Sequence, residues 1–127
     1  MSHAIVMHRY GGPEVLQWEA LDPGAPGPGE VLLRHAAVGL NFIDVYHRTG
    51  LYSLGTLPAV PGMEGAGVVE AVGEGVREFT PGDRVAYAGQ PPGAYAERRC
   101  LPAHRLVPLP EGIAFEQAAA MMLQGMT

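Results

Sequence analysis

The chain has 127 residues, a net charge of −5 and 47% hydrophobic residues, which suits one modest buried core. All eight basic residues are arginines and only Arg98 and Arg99 are adjacent, so no nucleic-acid groove is expected. Cys100 is the single cysteine, which excludes an internal disulfide, and no apolar run approaches the roughly 20 residues of a membrane-spanning helix.

With 18 glycines and 12 prolines among regularly spaced valine-rich runs, the composition points to a turn-dense β fold rather than disorder. Residues 3–10 (HAIVMHRY) read as a first strand, GGPEVLQWEAL as a turn into a second, and 22–30 as a loop punctuated by glycine and proline. EVLLRHAAVGL begins a long central strand. At 41–50 the period changes: NFIDVYHRTG places Phe42, Val45 and Tyr46 at helical spacing and Gly50 at the position of a helix stop. A plain structural reading packs Phe42, Val45 and Tyr46 on the barrel, with Asn41 and Asp44 capping the first turn.

The glycines of PGMEGAG predict a tight turn around Glu64, followed by strands at 66–72 and 84–88, then AYAERRCL and HRLVPLP. Many short strands with turns between them indicate a barrel or sandwich. Gly73 and Gly75 follow a strand, but Glu78 stands where a dinucleotide fingerprint wants its third glycine, and Pro81 forbids the following helix. A turn between strands is the better reading. The ending PEGIAFEQAAAMMLQGMT favours helix, and its lack of a stop suggests that the natural protein continues past Thr127.

The histidines His3, His8, His35, His47 and His104 show no zinc-binding spacing and read as ordinary surface or strand residues. Cys100 reads as a structural thiol. The segment 41–52 is where chemistry concentrates, because it brings an amide, a carboxylate and two phenols together; Asn41, the sole asparagine, stands at its head.

Six segments in order, HRYGGPEVLQ, VGLNFIDVYHRTGLY, PGMEGAG, PGDRV, GAYAE and FEQAAA, resemble the quinone oxidoreductase, zeta-crystallin-like branch of the medium-chain dehydrogenase/reductase superfamily. The resemblance implies a mainly β, GroES-like, partly open barrel over residues 1–112. Residues 113–127 would then start the helix leading into a Rossmann domain that this chain lacks, leaving the chain alone inactive. It further implies NADPH in the cleft between the domains, contacted by Asn41, Phe42, Ile43, Asp44, Val45 and Tyr46, with Asn41, Tyr46 and Tyr52 as the catalytic candidates. Where zinc-dependent relatives bind their catalytic metal, this chain carries Asn41, Met63 and Leu123, so no zinc is expected. The reaction implied is hydride transfer to a quinone. A reductase of enones or enoyl thioesters, or a noncatalytic GroES-like module, are the alternatives. A cytoplasmic homodimer, without nucleic-acid or membrane partners, completes the expectation.

Overall fold

The computed structural model describes residues 2–39, 42–51, 55–89 and 91–125. Strands β1 (His3–Val6) and β2 (Gln17–Ala20) pair antiparallel and are joined through a 3-10 turn at Pro13–Val15. Strands β3 (Glu30–Val38), β4 (Glu64–Val72), β5 (Arg84–Ala88), β6 (Arg98–Pro102) and β7 (Val107–Pro108) form one antiparallel sheet in the order β6-β3-β4-β5-β7. Helix α1 (Phe42–Thr49) lies between β3 and β4 in sequence, and helix α2 (Phe115–Gly125) follows β7.

Backbone hydrogen bonds at residues 95–97 stitch the two sheets together. The Ile5 amide donates to the Tyr95 carbonyl (2.7 Å), the Glu97 amide to the His3 carbonyl (2.9 Å), and the His35 amide to the Glu97 carbonyl (2.8 Å). The result is the mainly β fold expected from the turn-rich composition, in the partly open barrel form that the resemblance implies. Val31, Leu33, Val69, Val85 and Leu101 fill one face of the large sheet, each contributing about 1.5–3 kcal/mol by leaving water. On the other face Ala66 and Ala86 meet Ala118 and Ala119 of α2, so small side chains bring helix and sheet close. At the start of α2, the Gln117 side chain accepts from the Ala114 amide (3.2 Å), and Arg84 donates to the Pro110 and Ile113 carbonyls (2.8 and 2.7 Å) while lying over the Phe115 ring.

The glycine-rich segment differs from its expected turn. Glu64 to Gly67 are already extended within β4, and only Gly62 before them has a left-handed backbone, at φ 108°. Gly65 and Gly67 serve clearance instead. A Cβ on Gly65 would stand 2.9 Å from the His35 ring and 3.0 Å from the Tyr87 hydroxyl, and one on Gly67 would run into the Arg34 carbonyl. The Gly73–Gly75 pair forms the turn after β4 as expected, with the Gly73 amide donating to the Glu30 carbonyl (2.7 Å).

Gly67→Ala is therefore expected to destabilise the folded protein by about 1–3 kcal/mol through overpacking. Gly112→Ala, where no heavy atom lies within 4 Å of the new methyl group, should stay within about 0.5 kcal/mol. Urea denaturation midpoints of the two variants check this.

Candidate functional site

Helix α1 has its polarity inverted. Asp44 and His47, three residues apart and so on one face, are 7% and 2% exposed, whereas Val45 and Tyr46 are 43% and 40% exposed. The simple packing of Val45 and Tyr46 on the barrel is thus not what the chain does, and neither His47 nor the partly buried His35 is an ordinary surface residue. Gly50 does end the helix: its backbone is left-handed (φ 89°), and its amide donates to the Tyr46 carbonyl (3.1 Å).

The buried face of α1 is held from the loop before β6. The Tyr95 hydroxyl donates to Asp44 Oδ2 at 2.5 Å. Burial pushes the Tyr95 phenol strongly up from its ordinary value, and the hydrogen bond to Asp44 and the charges of Asp44 and Glu64 push the same way, so Tyr95 is a proton donor throughout the physiological range. Glu64, at the head of β4, is 1% exposed. The Gly39 amide donates to the Glu64 carbonyl (3.1 Å), and a Cβ on Gly39 would collide with the Glu64 side chain and the Ala119 carbonyl. The end of β3, the head of β4 and α2 therefore meet around one buried carboxyl group. Burial lowers the pKa of His47 against the opposing pull of Asp44, and its Nδ1 has no hydrogen-bond partner among the described residues.

A second polar network crosses β4. His35 lies on β3 and Tyr87 on β5, facing Gly67 and Gly65 of the strand between them. Because the Ala96 carbonyl can only accept, His35 Nδ1–H donates to it (2.7 Å); neutral His35 Nε2 then accepts from the Tyr87 hydroxyl (2.6 Å). Arg99, 8% exposed, donates in turn to the Tyr87 oxygen (3.3 Å) and to the Pro91 and Pro92 carbonyls (3.1 and 3.3 Å). Burial brings His35 down to about 4, and the nearby Arg99 charge acts in the same direction, against the Ala96 hydrogen bond. Burial likewise raises the Tyr87 phenol, outweighing Arg99. A groove of about 810 Å³, lined among others by Ile5, Leu16, Trp18, Val38 and Tyr95, runs between the two sheets.

Of the residues singled out in the sequence, Ile43, Asp44, Val45 and Tyr46 fall on α1, with Ile43 half-buried. Asn41, Tyr52 and the side chain of Phe42 lie outside the described residues, as does the side chain of Leu123. Among the described residues no three His, Cys, Asp or Glu side chains converge as metal ligands do, and Met63 is buried at 4% exposure. Cys100 is partly buried, its thiol facing the Pro23 carbonyl at 3.5 Å, and burial raises its pKa. Sequence reasoning missed Tyr95, Tyr87 and Arg99 as network members, because their partners lie on other elements, Asp44 on α1, His35 on β3 and the Pro91 and Pro92 carbonyls in a loop, brought together only by the fold. No described helix is long and apolar enough to cross a membrane.

Residues 27–111 match the family model for the alcohol dehydrogenase GroES-like domain. The chain belongs to this family. It is 56% identical to a quinone oxidoreductase of Pseudomonas aeruginosa over all of its length, which is 39% of that protein. It is also 45% identical to a 2-haloacrylate reductase of a Burkholderia species, covering 40% of it. The solved Escherichia coli quinone oxidoreductase complexed with NADPH superposes with a TM-score of 0.95 at 44% identity, over 98% of this chain and 38% of that one. The chain thus spans about two-fifths of the length of these relatives.

The lowered His35 gives a pH signature with a defined sign. In the native state the group binds its proton only near pH 4, against 6.5 ordinarily, so the unfolded chain takes up the proton first as pH falls. Its contribution is complete above pH 6.5 and drains away between 6.5 and about 4, at most about 3 kcal/mol in all. Denaturation midpoints measured across that range should fall more steeply for the wild type than for His35→Gln.

Proposed function

We propose that the full-length protein is an NADPH-dependent reductase that passes hydride to a quinone without a metal ion. The observation that carries this reading is the inverted helix α1, which buries Asp44 and His47 and leaves Val45 and Tyr46 exposed. An exposed apolar and aromatic face built at the cost of burying a carboxylate and an imidazole is what a flat aromatic ring requires. The relatives named as quinone oxidoreductases, and the NADPH complex of one of them, support the same reading. In it, the segment 41–46 flanks the cofactor, Tyr46 and Tyr52 line the cleft, and residues 113–127 lead toward a nucleotide-binding domain. NADPH, when bound, supplies the hydride.

The residues of this chain bind and orient. Val45 and Tyr46 offer area for stacking, and the Asn41 amide or a tyrosine hydroxyl donates a hydrogen bond to the acceptor oxygen as it gains charge. A quinone is already a strong acceptor and becomes aromatic on reduction, so positioning replaces the Lewis acid that a simple ketone needs. Met63 and Asn41, at positions where zinc-dependent relatives carry ligands, fit this metal-free reading by their chemistry. An enone reductase is the second reading, favoured by the likeness to a 2-haloacrylate reductase, since an activated alkene suits the same site. We place the protein in the cytoplasm as a homodimer.

The test is NADPH oxidation by the full-length protein with a benzoquinone, an enone and a simple ketone in parallel. Quinone turnover that survives a chelator is the expected result. Enone turnover alone selects the second reading, and inactivity with all three leaves a binding module. Asn41→Ala should lower turnover roughly a hundredfold if its amide stabilises the developing charge, as initial rates at saturating NADPH will report.

A further inference from the structure

We propose that Tyr95 is a positioning residue for the cofactor face of α1: its hydrogen bond to Asp44 fixes the roll of the helix and thereby keeps Val45 and Tyr46 turned outward. This rests on the reading of α1 given above and goes beyond it, because Tyr95 lies about fifty residues away in sequence and belongs to the loop before β6. A helix with Val45 and Tyr46 on one side and Asp44 and His47 on the other would, by burial alone, turn the first pair inward. Something must hold it the other way.

Tyr95 is suited to that task because its own backbone is fixed on both sides. Its amide donates to the Pro61 carbonyl (3.0 Å) and its carbonyl accepts from the Ile5 amide (2.7 Å), so the phenol projects from a frame shared by β1 and the segment before β4. Gly62 leaves the room it needs: a Cβ there would stand 2.7 Å from the Tyr95 ring and 2.8 Å from its amide nitrogen, and φ 108° suits glycine. The hydroxyl reaches Asp44 at 2.5 Å, a charge-assisted geometry of the strong class. At the far end of α1 the Gly11 amide donates to the Arg48 carbonyl (2.8 Å), which holds the end of the helix in place.

Hydrogen exchange of the full-length protein without ligand, followed by steady-state kinetics, tests this. Tyr95→Phe removes one oxygen and is expected to speed amide exchange in residues 43–49 about tenfold while peptides of β3 and β4 keep their protection. It should also raise KM for NADPH about tenfold and leave kcat within about threefold. Asp44→Asn, with Tyr95 intact, retains an oxygen that can accept from the phenol and should keep most of the wild-type protection. Unchanged exchange in Tyr95→Phe overturns the proposal, as does faster exchange throughout the sheet; faster exchange in α1 with an unchanged KM overturns the positioning role. Because exchange needs no turnover, an inactive wild type would sink the quinone reductase reading and leave this result standing.

Discussion

The bare face of the first half of β4, where Gly65 and Gly67 carry no side chains, is the constraint on which the rest depends. Neighbouring strands lie about 4.8 Å apart, so residues on β3 and β5 are separated by twice that distance and ordinarily do not touch. Gly65 and Gly67 remove the intervening side chains, and His35 and Tyr87 close a 2.6 Å hydrogen bond over the bare backbone. Gly39 and Gly62 do the same at the head of the strand, one admitting Glu64 beside α2 and the other admitting Tyr95. Glycine is usually invoked for its backbone freedom, yet at 39, 65 and 67 the requirement is volume.

Two polar networks become possible on this clearing, and they differ in kind. The one through His35, Tyr87 and Arg99 is a directed chain of donors that begins at a buried cation and ends on the Ala96 carbonyl. Its direction fixes the tautomer of His35, and protonating that ring would place a second positive charge beside Arg99. The one through Tyr95 and Asp44 ends on a carboxylate beneath α1, with the Glu64 charge close enough to act on the same phenol. One network ties β3 and β5, and the other α1, to residues 94–99, which also carry the bonds joining the two sheets.

How much of this was legible in the sequence follows from the range of the interactions. The strands announced themselves through alternation, as in VLLR and GVVEAV, and Gly50 marked the end of α1, because these signals are local. The position of α1 was legible too, from the change of period in NFIDVYHRTG. Its roll was not: Val45 and Tyr46 have the hydropathy of a packed face, and Asp44 lies inward beside a partner, Tyr95, that comes from a distant part of the chain. The glycines of PGMEGAG were visible but pointed to a turn, since clearance for His35 and Tyr87 depends on strand register that no local pattern encodes.

With Val45 and Tyr46 as the proposed ligand face, the roll of α1 is closely balanced, and that balance would link folding to ligand binding. Keeping Val45 and Tyr46 partly in water forgoes some of the roughly 1.5–3 kcal/mol that complete burial of each would supply. A hydrogen bond to a charged group contributes about 1.5–3 kcal/mol net, so the Tyr95–Asp44 contact is of the same size as the term it opposes. A flat apolar ligand laid on Val45 and Tyr46 removes the opposing term, since it covers those side chains without turning the helix. Ligand and hydrogen bond then favour the same orientation, and the bound helix is held more firmly than the free one by an amount that grows with the ratio of free ligand to its Kd. A site built on an exposed apolar face thus gains its rigidity when it is filled, with the Tyr95–Asp44 contact preserving the receptive orientation until then.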